Sequence, residues 1–411
     1  NHAVIENLII EDNYSYNGGG LSFFRVTGST VTNVTVNNNV AKMMGGGVFA
    51  HASSNITMTN MIVSNNSMLQ GFGGGGIAFA FSGGILTDIS IENNSSVMMG
   101  GGMWANNSPE LSITGVSFSG NTAAQNGGGW ASHAVDAGFT NCAFNENIAN
   151  VSIANGQQFG GGAMWLVASS PFFNDVTFSD NSTPGSGGGI FLLHDGTAGS
   201  SPTLENVMFS GNTASSYGGG ISIHSGCSPV LSNCFISGNT ATNEGGGVYT
   251  QGPDITMTRC TVVDNSSSNY TGGVSVNGSV ATVTNCTISG NTSSQGGGIE
   301  IWNSGYADIV NSIIWDNSPV AVSLYGGSAT VTYSDIEEGF EGEADYILYK
   351  VDDGTAESDL VLGTFALVVN NRTKSSRFMP PTAFDNNIYM MEDFQKNIDL
   401  IAFDVFQPFP Q

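Results

Sequence analysis

Acidic side chains that could form catalytic pairs recur along this chain, each directly before a periodic asparagine. The clearest examples are Asp12, Glu146, Asp180, Asp264 and Asp316. Inverting hydrolysis of a glycoside needs two carboxylates that face each other across the space for one water. Only Glu146 and Asp180 stand in neighbouring repeats, and aspartate is also a common turn residue. We therefore interpret these acids as turn formers.

Four histidines follow the glycine runs of the chain at nearly constant spacing. They are His51, His133, His194 and His224, and only the last two belong to neighbouring repeats. A metal site needs ligands that converge on one point, which this spacing does not provide. The pattern predicts histidines in surface turns and no metal bound by them.

The cysteines follow the same periodicity. Cys142, Cys234, Cys260 and Cys286 share one repeat position, which valine or methionine occupies in other repeats. The position favours a ladder of small buried side chains, with disulfides between neighbouring repeats as the alternative. Cys227 follows Gly226 in a turn and is the candidate for a free thiol.

The elements that position these residues are set by a repeat of about 27 residues. Eleven glycine runs precede apolar strands, and each repeat carries a further asparagine. The asparagines predicted to form a structural ladder in the later repeats are Asn121, Asn147, Asn181, Asn212, Asn239, Asn265, Asn291 and Asn317. Stacked asparagine side chains can hydrogen-bond from one repeat to the next.

Short segments with alternating polarity predict strands throughout the first 330 residues or so, and none of them has helical periodicity. Three short strands with their turns make one coil, called a rung below. The chain is therefore predicted to be all-β, a right-handed parallel β-helix of about 12 rungs with a length on the order of 58 Å. Phe118, Phe144, Phe178 and Phe209 share one position and should stack inside it.

Two motifs carry a resemblance to a known family. Phe-x-x-Asn occurs at Phe118–Asn121 and Phe209–Asn212, and Gly-Gly-apolar at Gly218–Ile221 and Gly296–Ile299. This combination resembles the repeats of polymorphic outer-membrane-protein passenger regions and related bacterial β-helix surface proteins. The resemblance covers residues 1–334 and implies a surface-exposed, adhesive or structural protein. Triple glycine replaces the family's usual Gly-Gly-Ala.

The repeat ends near residue 334. We predict a parallel β-helix over 1–334 and a β-rich cap or docking segment over 335–411. The second part opens with an acidic run that includes Asp335, Glu337 and Glu338. Such a run could hold calcium, or it could be a solvated linker. No other cofactor is predicted.

One set of apolar residues is expected to face outward after the glycine runs. Water-facing strand positions normally carry polar side chains, so an apolar stripe indicates an interaction surface. Either a covering segment or an in/out register that is shifted by one residue would remove this surface. The stripe comprises Phe49, Ala78, Trp104, Met164, Leu166, Phe191, Leu193 and Tyr249.

The charge balance limits the classes of partner that this protein can bind. Lys+Arg total 8 against 33 for Asp+Glu, giving a net charge of −25. Such a surface repels nucleic acid, and no apolar stretch is long enough to span a membrane. Partners are therefore expected to be further copies of this chain or cell-surface components. Asn269, Asn277 and Asn371 lie in sequons and are possible glycosylation sites.

The function predicted from these observations is non-enzymatic. We expect an extracellular structural or adhesive solenoid that self-associates into a cell-surface layer, filament or appendage. The alternative is a β-helix of the pectate-lyase type that binds or cleaves carbohydrate. Lyases of that class need several basic side chains on one face, and up to residue 334 only Arg25, Lys42 and Arg259 are basic.

Overall fold

Parallel strand pairing starts at Val4 and repeats rung after rung, so that the chain forms an all-β parallel solenoid of about 12 turns. The computed structural model describes residues 2–108, 110–150 and 160–337, together with the backbone of three later strands. The predicted fold class is confirmed. Among the described residues there is no helix long and apolar enough to cross a bilayer.

The described strands form three sheets that run along the solenoid. The first sheet bends where each rung turns a corner, so that most rungs contribute two short strands to it. Its strands are Val4–Glu11, Thr30–Asn37, Ile56–Ser64, Gly84–Glu92, Leu111–Thr114, Ser117–Ser119, Gly138–Thr140, Ala143–Asn145, Phe172–Asn174, Thr177–Ser179, Thr203–Glu205, Met208–Ser210, Val230–Ser232, Phe235–Ser237, Ile255–Thr258, Thr261–Val263, Val280–Thr284, Thr287–Ser289, Tyr306–Val310, Ile313–Trp315, Ser328–Thr332, Asp335–Ile336, Ile347–Lys350 and Phe365–Leu367.

The strands of the other two sheets have two to five residues each. The second sheet comprises Tyr14–Asn17, Val40–Met44, Ser67–Met68, Ser95–Ser96, Thr122–Ala123, Ile148–Ala149, Ser182–Thr183, Thr213–Ala214, Thr240–Ala241 and Ser266–Ser267. The third sheet comprises Leu21–Phe24, Val48–His51, Ile77–Ala80, Met103–Asn106, Trp130–His133, Met164–Val167, Ile190–Leu193, Ile221–Ile223, Val248–Gln251, Val274–Asn277, Ile299–Trp302, Val322–Tyr325 and Phe340–Gly342.

The glycine runs make the corner that leads into the third sheet, and neighbouring glycines are needed for different reasons. Gly45 adopts a left-handed φ of 62°, which glycine reaches without steric strain. Gly46 has an ordinary φ, but a Cβ there would lie 2.0 Å from the carbonyl oxygen of Gly75 in the next rung. Successive rungs therefore approach each other too closely at this corner for any side chain.

The ladder asparagines are buried and join successive rungs through their side chains. Asn181 is typical: its Oδ1 accepts hydrogen bonds from the backbone N–H of Asn147 at 2.9 Å and from its Nδ2 at 3.0 Å. The Nδ2 of Asn181 donates to the carbonyl of Phe144 at 2.9 Å and to Asn212 Oδ1 at 2.9 Å. Each such amide thus bonds to polar groups in the rungs before and after its own, at a corner closed to water.

The interior between the sheets is a continuous apolar core. The predicted stack of phenylalanines is confirmed, with ring centroids 4.4 Å apart from Phe118 to Phe144, then 4.9 Å to Phe178 and 4.8 Å to Phe209. The acids before the ladder asparagines occupy left-handed turns, with φ of 53° at Glu146 and 55° at Asp180. Their turn position explains why they recur with the asparagine.

All five cysteines are buried free thiols. The disulfide alternative is therefore wrong for Cys142, Cys234, Cys260 and Cys286. Cys227 is as buried as the others, so it is no more available than they are. Burial raises the pKa of Cys142 and of Cys227 to about 11 in each case.

Thiol chemistry should report this burial directly. At pH 8 we expect native protein to react with a thiol reagent on the order of 100-fold more slowly than protein unfolded in urea, because all five thiols are buried and the reagent cannot reach them. Absorbance of the released chromophore would count the reacted thiols. Immediate labelling of even one cysteine in native protein would contradict this placement.

Strand pairing continues beyond the boundary expected at residue 334. Asp335–Ile336 pairs with Ile313–Trp315, and Ile347–Lys350 pairs in parallel with Ser328–Thr332. The last described strand, Phe365–Leu367, pairs antiparallel with Ile347–Lys350. A capping or docking role for 335–411 stays a prediction.

Candidate functional site

The outer face of the third sheet carries the most unusual set of side chains in the described structure. In Val48–His51 the first and third residues enter the core, so the second and fourth point outward. The first outward position of each strand forms what we call the outer row. Its members are Ser22, Phe49, Ala78, Trp104, Ala131, Trp165, Phe191, Ser222, Tyr249, Ser275, Glu300 and Ser323.

Most of the outer row is buried; Ser22 is exposed and Trp165 is half-buried. The residues that precede the glycine runs fold back over it and are joined by single β-bridges between rungs. These residues, which we call the cover row, are Met44, Gly73, Met99, Asn126, Gly160, Ser186, Tyr217, Glu244, Thr271 and Gly296. Met44 and Met99 pack on a second apolar cluster that includes Phe49, Ala78 and Trp104.

This cover overturns the exposed apolar stripe expected from the sequence. Phe49, Ala78, Trp104, Phe191 and Tyr249 do face away from the core, but all five are buried. Strand alternation identifies the two faces of a sheet and carries no information about a segment that folds back over one of them. An exposed interaction surface at these residues is therefore wrong.

Met164 and Leu166 belong to the core instead of the outer row. The left-handed glycine of this rung is Gly161, with φ of 70°, which corresponds to Gly187 in the next rung. Ala163 therefore takes the place of the last glycine, and Trp165 takes the outward position. The outward positions expected from the sequence are off by one residue in this rung, because its glycine run starts one residue earlier than the run of the next rung. Leu193, in the second outward position, is half-buried.

From Ser222 onward the outer row changes from apolar to polar, and two glutamates are buried there. Glu244 lies in the cover row and Glu300 in the outer row. The Ser275 hydroxyl donates to Glu244 Oε2 at 3.0 Å, and the Thr271 hydroxyl donates to Glu300 Oε2. Glu300 is 0% exposed and Glu244 is 9% exposed. Two carboxylates are thus enclosed between the sheet and its cover.

The enclosure changes the acidity of both groups. Burial raises the pKa of Glu300 to about 7, and the neighbouring charge of Glu244 adds to the shift. The hydrogen bond from Thr271 lowers the pKa of Glu300 and so opposes this shift, as does the nearby Trp302 indole. No hydrogen bond of good geometry joins the indole to the carboxylate. Burial also raises the pKa of Glu244, against the Ser275 hydrogen bond.

Three buried polar atoms around Glu300 have no hydrogen-bond partner. They are Glu300 Oε1, Ser323 Oγ and Trp302 Nε1. Gly296 faces the first two: a Cβ on it would lie 2.7 Å from Ser323 Oγ and 3.0 Å from the Glu300 carboxyl carbon. Ser323 and Glu300 therefore pack closely against the bare backbone of Gly296. Buried polar atoms without a hydrogen-bond partner are rare in proteins.

Aromatic rings line the same end of the sheet. The indole of Trp302 meets Tyr270 edge-on at 5.1 Å between centroids and stacks on Tyr325 at 5.0 Å. Tyr217 of the cover row stacks on Tyr249 of the outer row at 4.6 Å. Tyr249 is buried, whereas Tyr270 and Trp302 are half-buried and Tyr325 is exposed. The ring group at Trp302 is thus reachable from solvent.

The histidines do not all lie in surface turns. His224 is buried and its Nε2 lies 3.3 Å from Ser222 Oγ, a serine–histidine contact of the kind that activates nucleophiles. Burial lowers its pKa to about 4, and the other side chain that bonds the ring is the Gln251 amide, not a carboxylate. Both Ser222 and His224 are closed to solvent, so this contact is structural.

The other histidines are at least partly exposed. His133 lies 3.5 Å from the Asp195 carboxylate, and hydrogen bonds from the Thr197 side chain and from the backbone of Ala198 and Thr197 lower the pKa of Asp195. This ion pair is at the surface, where such pairs stabilise a protein little. Within the described ranges no three acidic, histidine or cysteine side chains converge as a metal cluster.

The remaining predicted sites are dispersed. Glu337 accepts a hydrogen bond from the backbone N–H of Asp316, whereas Glu338 lies outside the described residues, so calcium at this run stays a prediction. Asn269 is exposed and Asn277 is half-buried, while Asn371 lies outside the described residues. Glycosylation of all three likewise stays a prediction.

Comparisons with known proteins bear on the fold. Residues 161–336 match the family model described as "Right handed beta helix region". No curated protein matches the sequence. The finer resemblance to polymorphic outer-membrane-protein repeats stays a prediction.

Several solved structures are similar to this chain at low identity. The PL6 family alginate lyase AlyGC is 12% identical with a TM-score of 0.27, over 87% of this chain and 52% of that one. A mutant of it gives a TM-score of 0.28 at 12% identity, over 89% and 52%. A TibC-catalysed hyper-glycosylated TibA fragment is 17% identical with a TM-score of 0.23, over 81% and 99%. This chain spans about half the length of the lyase, and similarity this weak carries no argument about its activity.

Proposed function

We propose that this protein is an extracellular structural or adhesive solenoid that makes its contacts through the outer face of the first sheet. The observation that carries the proposal is a row of threonines in register along that face. Strand pairing aligns them from rung to rung, at intervals of about 4.8 Å. The row consists of Thr32, Thr59, Thr87, Thr114 and Thr140, all half-buried.

The neighbouring outward row supplies apolar contact area. Ile85 is 52% exposed, Phe172 is 45% exposed and Val230 is 41% exposed. A shallow depression beside Ile85 is lined by Thr57, Ser112 and the bare backbone of Gly83 and Gly84. A regular array that repeats the same contact suits multivalent attachment, because many weak contacts act together once the first has formed.

A folding role for these threonines must be separated from a binding role. Threonine favours strands, and cross-strand threonine pairs stabilise sheets by about 0.2–1 kcal/mol. Changes on this face therefore need a matched change on another face of the same solenoid. Thr213 and Thr240 provide it, since both are exposed on the second sheet.

We expect the double substitution Thr87→Lys/Thr114→Lys to abolish self-association, with only a small change in Tm. Sedimentation at increasing protein concentration would measure association, and a binding assay on cell-surface material would measure adhesion. Thr213→Lys/Thr240→Lys should leave both unchanged. A wild-type chain that stays monomeric at high concentration and binds no surface would overturn the proposal, as would equal effects of the two double variants.

Carbohydrate binding at the Trp302 ring group is the second candidate. The solvent-reachable rings of Tyr270, Trp302 and Tyr325 provide apolar faces with polar edges, which suit sugar rings. Cleavage is less well supported, because Glu300 is enclosed away from that surface.

Oligosaccharide binding followed by calorimetry, with a depolymerisation screen alongside, tests this candidate. Trp302→Ala should weaken binding at least about tenfold, since aromatic anchors dominate such contacts. Trp315→Ala, at another exposed tryptophan, should not. Wild-type protein that binds none of the oligosaccharides would exclude a carbohydrate role here.

A further inference from the structure

We propose that a basic stretch near the carboxyl end of this chain, residues 371–379, binds a notch on the outer face of the first sheet of a second copy. The contact rests on the proposed function, because it names the partner in the self-association made through this face. It is supported by the shape of the notch, by the distribution of charge along the sequence and by the distance that the chain can span.

The notch lies between two exposed apolar side chains of one outward row. Ile85 and Phe172 form its walls, and three strand-to-strand steps separate them, on the order of 14 Å. Ser112 and Gly138 stand between them in the register, and a Cβ on Gly138 would meet nothing within 4 Å. Ser112 also lines the depression beside Ile85, so the notch and the depression adjoin. This part of the sheet therefore has room for one extended segment.

Two carboxylates stand at one end of the notch. Glu110 directly precedes the strand Leu111–Thr114, and Asp136 has the equivalent place in the next rung. Both side chains are exposed, and Asp136 accepts a hydrogen bond from the backbone N–H of Ser170. Exposed carboxylates beside apolar walls are complementary to a segment that combines basic and apolar side chains.

The distribution of charge indicates that the chain itself carries such a segment. Between Lys42 and Arg259 every charged side chain other than histidine is acidic, whereas five of the eight basic residues lie beyond residue 337. Three of these five stand in a stretch from 360 to 384 that contains no acid, and two apolar residues follow them directly. The residues concerned are Arg372, Lys374, Arg377, Phe378 and Met379.

The basic side chains of this stretch cannot reach Glu110 of their own copy. The last described strand, Phe365–Leu367, is ten strand-to-strand steps from Leu111–Thr114, which is on the order of 48 Å. Arg377 stands ten residues beyond Leu367, and ten fully extended residues span at most about 36 Å. A second copy must therefore supply the segment. Such a head-to-tail contact can repeat from copy to copy and so build a filament.

Sedimentation of full-chain variants over a range of protein concentrations tests the contact. Glu110→Gln/Asp136→Asn removes the charge of the notch, and Arg372→Gln/Lys374→Gln/Arg377→Gln removes that of the stretch. Each variant should weaken association by about tenfold or more, because each loses two or three ion pairs at the contact. High salt should weaken the association of wild type as well.

A mixture of the two variants provides the sharpest measurement. One partner keeps the notch and the other keeps the stretch, so the mixture should form pairs but no longer assemblies, while each variant alone stays monomeric. The matched control is Glu205→Gln/Asp254→Asn, which should associate as wild type does. Asp254 precedes the strand Ile255–Thr258 as Glu110 precedes its own strand, but in a later rung.

The failure of this contact can be told apart from the failure of the proposed function. If Thr87→Lys/Thr114→Lys abolishes association while the stretch variant associates as wild type does, the stretch is not the partner and the first-sheet contact still stands. A mixture that forms no pairs would also overturn the proposal. A wild type that stays monomeric but binds cell-surface material would refute the contact and leave the adhesive function intact.

Discussion

Replacing Glu300 with glutamine should raise the free energy of unfolding at pH 8 by about 3 kcal/mol and leave it nearly unchanged at pH 4. The folded protein raises the pKa of this carboxyl from 4.5 to about 7. The folded state therefore holds the proton more tightly than the unfolded chain, and stability falls as the pH rises through this window. Glutamine has nearly the same shape and no charge to enclose.

The comparison must be made between variants in the presence of a chelator. Other groups contribute their own pH dependence: Glu244 acts in the same direction, because burial raises its pKa, too. His224 acts in the opposite direction, since burial lowers its pKa to about 4 and stability is lost as the pH falls below the ordinary value of 6.5. Both are present in each variant, and burial raises the pKa of Tyr217 and Tyr249 away from this range.

Urea unfolding at pH 4, 6 and 8 would give the two stability profiles. Glu205→Gln removes a glutamate from the outer face of the first sheet and should leave the profile parallel to that of wild type. Parallel profiles for Glu300→Gln would mean that Glu300 titrates as an ordinary surface acid. The enclosure described here would then be wrong.

Asn181→Ala should lower the free energy of unfolding by about 4 kcal/mol, because several buried groups lose a hydrogen bond with it. The Asn147 backbone N–H and Nδ2, the Phe144 carbonyl and Asn212 Oδ1 each lose one. Each loss costs about 0.5–3 kcal/mol in a site closed to water, and it costs most where the group keeps no other partner.

The matched control is Asn269→Ala, since Asn269 is exposed and makes only a long side-chain contact with Asn243. It should change stability by less than about 0.5 kcal/mol. Both values can be read from urea transitions followed by circular dichroism. If the two substitutions had similar effects, the ladder would contribute no more than a surface turn.

Much of the fold could be predicted from the sequence because the repeat constrains it many times over. Glycine and asparagine recur at fixed positions in nearly every rung, and phenylalanine recurs at one core position in four successive rungs. The Phe118–Phe209 stack and the left-handed turn at Asp180 follow from this repetition. The residue pattern of a single rung would not have been enough to predict the fold.

The site could not be predicted in the same way, because its residues depart from the repeat. Glu244 and Glu300 occupy different positions in different rungs, and each looks like an isolated acid along the chain. They are buried only because the cover row folds over the outer face of the third sheet. One signal was available: Glu300 stands where Ser275 and Ser323 stand in the neighbouring rungs.

The asparagine ladder has a direction, and this direction governs the order in which the chain can fold. The backbone N–H and Nδ2 of Asn147 are satisfied by Oδ1 of Asn181, one rung later in the chain, and Asn181 depends on Asn212 in the same way. A coil is therefore complete only when its successor is in place. When the chain emerges amino end first, during synthesis or export, each coil would gain its last ladder hydrogen bonds as the next coil forms. The ladder would then close from the amino end.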